Sequence, residues 1–87
     1  MLIAKLKDGY KVEITEEARD NMELVDALVE METNPLAVSK VVKLLMPDDQ
    51  RKRLYDHLRT EKGNVPVAAV AEAITDIFLA ADQSTKN

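Results

Sequence analysis

The chain has 87 residues, a formal net charge of −4 at pH 7, no cysteine, one histidine and an aromatic content of only 3%. This length fits one small domain with an aliphatic core. The composition excludes disulfide scaffolds, zinc–thiolate sites, cysteine nucleophiles and histidine metal clusters, and the acidic charge argues against a general nucleic-acid-binding protein.

The first predicted element is a β-hairpin over residues 1–14 that turns at Asp8-Gly9. An Asp-Gly pair between alternating apolar residues is a strong hairpin signal. A two-residue loop would mix lysines with apolar residues on one face, whereas a three-residue loop opposes Ala4 to Val12 and leaves one face wholly apolar. Because register follows the hydrophobic pattern, we predict the three-residue loop, with Gly9 at a positive φ.

After a polar link at residues 15–20, which has room for one helical turn, the first of four helices is predicted to run to about Glu32. Asp20 is its expected N-cap, and Glu23 completes an Asp variant of the capping box. Apolar residues recur in it at helical spacing: Met22, Val25, Leu28 and Val29.

Prolines mark the starts of the other helices. Asn34 is predicted to cap the second helix, with Pro35 in its first turn and its end near Met46. The third helix follows Pro47 and ends near Lys62-Gly63, and the fourth runs from Val65-Pro66 to about Ala81. The apolar stripes comprise Val38, Val41, Val42 and Leu45 in the second helix, Leu54, Tyr55 and Leu58 in the third, and Val67, Val70, Ala71, Ile74, Ile77, Phe78 and Ala81 in the fourth.

The predicted fold is therefore α+β and mostly helical, with an N-terminal β-hairpin followed by about four α-helices. We expect one domain over residues 1–87, made of the hairpin at 1–14, a helical part at 21–81 and a polar tail at 82–87. No apolar run reaches the length of about 20 residues that a membrane-spanning helix needs. The absence of a secretion signal and of cysteine favours a cytoplasmic protein.

The charges are distributed unevenly along the chain. Residues 13–32 contain eight acids and one base, whereas residues 40–53 contain five bases and two acids. One interpretation is that the two segments form complementary faces, through which copies dock head to tail. The other is that they are solvated helix faces that pair within one monomer.

No segment of the sequence carries a convincing chemical site. The basic run Arg51-Lys52-Arg53 is flanked by acids and lacks the aromatic platform of single-strand binders. His57 lies on the flank of its helix without a predicted nucleophile or second acid beside it. The acids at 13–20 match no calcium-loop spacing. We therefore expect no enzymatic activity, no cofactor and no metal.

Some apolar residues lie off their helical stripes or at helix ends, and these are predicted to contact a partner. Methionine and leucine on such positions suit binding of an apolar helix, although single exposed leucines are normal on any protein. The candidates are Met31, Leu36, Leu44, Met46 and Leu79.

The order of these elements resembles a known family. A strand pair around KLKDGYKVEI leads into the acidic TEEARDNMELVDALVEMET, then a helix ending KLLMPDDQRKRLYDHL, a KGNVP break and a final AVAEAITDIFLAA helix. This pattern resembles the tail assembly chaperones of siphophages and prophages of Gram-positive bacteria. The resemblance covers nearly the whole chain and rests on the soft patterns LL-x-P-x-x-Q-x-x-x-L and G-x-V-P.

The resemblance implies a non-enzymatic protein of the bacterial host cytoplasm. Such a protein binds the apolar helices of the phage tape-measure protein and helps tail-tube protein subunits to polymerise around it. Many members of the family also have a longer form made by ribosomal frameshifting, and the amino acids Lys86-Asn87 can be encoded by a slippery A-AAA-AAN run. The alternative is a small oligomeric structural or regulatory adaptor, such as a phage connector component or another protein-interaction module.

Overall fold

The computed structural model describes the backbone of residues 2–85 and the side chains of 3–18 and 20–79. Two strands are followed by five helices: β1 (Leu2–Lys5), β2 (Lys11–Ile14), α1 (Glu16–Arg19), α2 (Met22–Thr33), α3 (Ala37–Leu45), α4 (Asp48–Leu58) and α5 (Val67–Thr85). The predicted α+β, mostly helical fold is confirmed. The terminal pair Lys86-Asn87, on which the frameshift expectation rests, lies outside the described residues.

The hairpin has the predicted register. The strands are antiparallel, with Ala4 opposite Val12 and Lys5 opposite Lys11. The Gly9 N–H donates to the Leu6 carbonyl at 2.9 Å and closes the three-residue loop, and Gly9 has a φ of 95°. This conformation strains any residue with a Cβ, so the Asp-Gly pair determines both the position and the form of the turn.

The inner face of the hairpin joins α3, α4 and α5 around one aliphatic core. Its most deeply buried large side chains are Val12, Ile14, Leu24, Val41, Val42, Leu45, Leu54, Ile74 and Ile77. Strand β1 packs on α5 and strand β2 on α4, whereas α2 packs mainly on α3. The hairpin thus covers one side of the helices, and α2 forms an outer layer.

Several helix boundaries differ from the prediction because local hydrogen bonds compete with the expected caps. Asn21, rather than Asp20, caps α2 and accepts a hydrogen bond from the Glu23 N–H. The Asn34 side chain accepts from the Leu36 N–H at 3.2 Å, which holds residues 34–36 in a turn, and α3 begins only at Ala37.

The end of α4 also differs from the prediction. Helix α4 ends at Leu58, and Gly63, at a φ of 97°, lies in a separate turn closed by its N–H on the Thr60 carbonyl. Helix α5 begins after Val65-Pro66 as expected and continues to Thr85, so most of the predicted polar tail is helical. Among the described helices, none has the length and hydropathy of a membrane span.

Candidate functional site

The five residues predicted to contact a partner do not share one exposed face. Leu36 is 81% exposed in the turn between α2 and α3, and Leu79 is 58% exposed on α5. Met31 and Leu44 are half-buried and pack against the core. Only Leu36 and Leu79 are therefore fully available to a partner.

Met46 is not available at all. Its side chain is 3% exposed and belongs to the core cluster. The sequence placed it at a helix end and hence at the surface, but its backbone is extended and the chain enters α4 through Pro47. This extended link directs the side chain inward between α3 and α4, so Met46 is removed from the candidate surface.

Helix α2 has an exposed apolar face that its helical spacing alone did not identify. Met22, Val25 and Val29 are 68%, 42% and 61% exposed. The spacing i, i+3, i+7 places them on one side of the helix. We call these three residues the α2 stripe. Because an apolar row of this kind normally faces a partner element, the α2 stripe is the principal candidate for a binding surface.

The opposite side of α2 holds the helix on the protein. Leu24 and Ala27 are buried there, and Leu28 and Met31 pack partly against the core. These residues also recur at helical spacing, so α2 carries two apolar rows. Periodicity alone does not indicate which of two such rows faces inward. The spacing of the apolar residues therefore predicts the helix but not its buried side.

Acidic side chains frame the α2 stripe. On the helix, Asp26 neighbours Met22 and Val29, and Glu32 neighbours Val25 and Val29, at spacings of three, four or seven residues. Glu23 and Glu30 lie farther round on the Asp26 side. All four acids are exposed, so the stripe is a narrow apolar row inside a negatively charged border.

The basic segment 40–53 does not neutralise this border to any large extent. Among ion pairs of the described side chains, one links the two segments, between Lys40 Nζ and Glu30 Oε1 at 3.9 Å. Arg51 pairs with Asp48 and Arg53 with Asp49 inside α4. The intramolecular pairing considered from the sequence is therefore limited to a single exposed contact, which contributes little to stability.

His57 takes part in a contact that ties the hairpin turn to α4. Its Nε2 lies 2.7 Å from Asp8 Oδ2, and its ring stacks on Tyr10 with centroids 3.9 Å apart. The Tyr10 backbone N–H and the His57 side chain, both bonded to Asp8, hold the pKa of that carboxyl below its ordinary value. Since both Asp8 oxygens and His57 Nε2 have partners within the fold, the contact is explained by its structural role.

Other clusters give no sign of a chemical centre. Within the described part of the chain, no three histidine or acidic side chains converge as metal ligands would. A shallow depression of about 170 Å³ lies between the hairpin turn and α5. There Asp76 Oδ2 accepts the Lys7 backbone N–H at 3.2 Å, which fastens the turn to α5.

Comparisons of the chain with protein-family models, with curated proteins and with solved structures find no match in any of the three.

Proposed function

We propose that this chain is a non-enzymatic tail assembly chaperone of a siphophage or prophage, acting in the bacterial host cytoplasm. It binds the apolar helices of the tape-measure protein and aids assembly of the tail-tube protein around them. The observation that supports this proposal best is the α2 stripe, an apolar helix face exposed on a small acidic protein. The family itself comes from the resemblance in sequence pattern.

Co-expression tests the proposal. A tape-measure protein of the same phage or prophage is produced alone, with the wild-type chain, and with the variant M22S/V25S/V29S. We expect the wild-type chain to raise the soluble fraction of the tape-measure protein several-fold, because it covers apolar helices that otherwise aggregate. If the tape-measure protein is equally soluble with and without the wild-type chain, the chaperone function is wrong.

A second candidate function is that of a small oligomeric adaptor. Residues 13–32 are acidic and residues 40–53 are basic, and among the described side chains one ion pair links them. Because these complementary charges are largely not paired with each other within one copy, they are able to pair between two copies. Light scattering at low and high salt distinguishes an oligomer held together by charge from a monomer. Assembly at low salt that dissociates at high salt supports the adaptor, whereas a monomer at both contradicts it.

A further inference from the structure

We propose that the α2 stripe binds a basic amphipathic helix, and that the acids framing the stripe select that charge. This inference rests on the proposed protein-binding function and specifies the class of partner segment. The partner helix carries apolar residues at the same alternating spacing of three and four, with lysine or arginine on both flanks.

The geometry of the stripe requires a helix of this kind. Met22 and Val29 are separated by two helical turns, about 10 Å. Three apolar side chains in a row cover a narrow seam, and a second helix laid along such a seam is the arrangement that buries it. The next position on the seam after Val29 is Glu32, which pairs with a base on the partner.

The negative charge around the α2 stripe favours some binding partners over others. Two copies of this chain pairing stripe to stripe would bring the Asp26 and Glu32 carboxylates of both copies together, and such like-charge contact is unfavourable. An anionic lipid surface is repelled for the same reason. A basic helix, in contrast, gains from the acidic border both in encounter rate and in alignment.

The basic segment of a second copy is also a poor occupant. The exposed side chains of α3 and α4 are all polar or charged: Ser39, Lys40, Lys43, Asp48, Asp49, Lys52, Arg53, Asp56 and His57. That surface offers charge but little apolar cover for the α2 stripe, because its apolar side chains Leu44, Tyr55 and Leu58 are half-buried. The partner therefore needs an apolar row of its own between its basic residues.

Binding of designed peptides tests this assignment. Two fluorescent helical peptides of about 20 residues share the same leucine row; one is flanked by lysines and the other by glutamates. At low salt, about 50 mM, we expect the full wild-type chain to bind the lysine peptide at least about tenfold more tightly than the glutamate peptide. High salt, about 500 mM, should reduce the difference. Equal affinity for the two peptides at low salt would overturn the proposal.

Variants then locate the binding surface. M22S/V25S/V29S should weaken binding of the lysine peptide at least about tenfold, and D26N/E32Q should weaken it mainly at low salt. The matched control I3S/V67S removes two residues of similar exposure, 60% and 57%, from β1 and α5 and should leave the affinity within about twofold. Circular dichroism checks that each variant is folded. A control that weakens binding as much as the stripe variant contradicts the assignment.

The test of the α2 stripe and the test of the chaperone function can fail independently of each other. If the wild-type chain keeps the tape-measure protein soluble and the stripe variant does so equally well, the chaperone function stands and the stripe assignment fails. If sedimentation finds a wild-type dimer that the stripe variant abolishes, a second copy is the occupant and this proposal is wrong. Binding of the lysine peptide without any effect on the tape-measure protein keeps the stripe assignment and rejects the chaperone.

Discussion

Asp8 is the residue at which the hairpin turn meets α4. One carboxylate oxygen accepts the Tyr10 backbone N–H at 3.0 Å and the other contacts His57 Nε2 at 2.7 Å. The same side chain thus shapes the loop and attaches it to a helix. Both contacts favour the ionised carboxylate and lower the pKa of Asp8.

A pH series on the wild-type chain and Asp8→Asn tests this role. The folded pKa of Asp8 lies below the unfolded one, so the folded chain binds fewer protons and the contribution of Asp8 to stability is present above about pH 4. It is lost as the pH falls through the folded pKa. We expect the wild-type chain to be more stable near neutrality and the two chains to converge in acid.

Urea denaturation from neutral to acidic pH measures the difference. Asparagine keeps the oxygen that accepts the Tyr10 N–H, so the variant removes the charge and largely preserves the turn. His57, Glu72 and Asp76, which lie around Asp8, are present in both chains, so only their interactions with the Asp8 charge differ between the two. A stability difference that stays constant with pH would show that the carboxylate charge has no role.

At the scale of elements, the two rows of α2 have different energetic roles. Leu24 is 1% exposed and packs in the core, whereas its neighbour Val25 is 42% exposed. We expect Leu24→Ala to lower the free energy of unfolding by about 2–4 kcal/mol, the cost of a core cavity. Val25→Ala should change it by no more than about 0.5 kcal/mol, because little packing is lost and alanine favours the helix.

Chemical denaturation of the two variants measures this contrast. The pair is matched, since both substitutions lie at adjacent positions on one helix and end in alanine. If Val25→Ala greatly lowered the free energy of unfolding and Leu24→Ala lowered it only slightly, helix α2 would be rotated, with the α2 stripe facing the core.

The elements differ in how far the sequence predicted them, for physical reasons. In the hairpin only one register makes a wholly apolar face, so Ala4, Val12 and Gly9 were predicted correctly. Helix α3 has a single apolar row, and Val38 and Val41 are buried as expected. The remaining features could not be predicted for different reasons. The starts of α2 and α3 depend on which local side chain accepts a hydrogen bond, whereas the burial of Met46 and the buried side of α2 depend on tertiary packing.

The candidate surface illustrates the failure most clearly. The helical spacing of Met22, Val25, Leu28 and Val29 predicts α2 but not its buried side, and in the structure Leu24 is buried whereas Met22 and Val29 are exposed. Met46 was assigned to the surface, although the extended link into α4 turns it inward. Only tertiary packing decides such cases, and the sequence of a single chain does not specify it locally.

At the scale of the whole molecule, the hairpin and the helices share one core. The hairpin contributes Ala4, Leu6, Val12 and Ile14 to the same buried cluster as the helices. A two-stranded hairpin is at best marginally stable alone. The hairpin therefore depends on α4 and α5, and we expect the chain to unfold as one cooperative unit.

Two signals from one denaturation experiment test this expectation. In the background Tyr55→Phe, tyrosine fluorescence reports on Tyr10 and hence on the hairpin against α4, while far-ultraviolet circular dichroism reports on the helices. The two midpoints should coincide. A fluorescence transition at clearly lower denaturant would identify the hairpin as an independent, weaker unit and contradict a single domain.

The outer face of the hairpin has one further consequence. Lys5 and Lys11 lie directly opposite one another on the exposed side of the sheet, where like charges cost some stability. A two-stranded sheet also has strand edges whose backbone groups can pair with the edge of another copy, which extends the sheet. Each added copy would bring two more ammonium groups into the same row. The lysine pair thus trades a little stability for protection against aggregation, and replacing either lysine with an apolar residue should shorten the time before the concentrated protein forms fibrils.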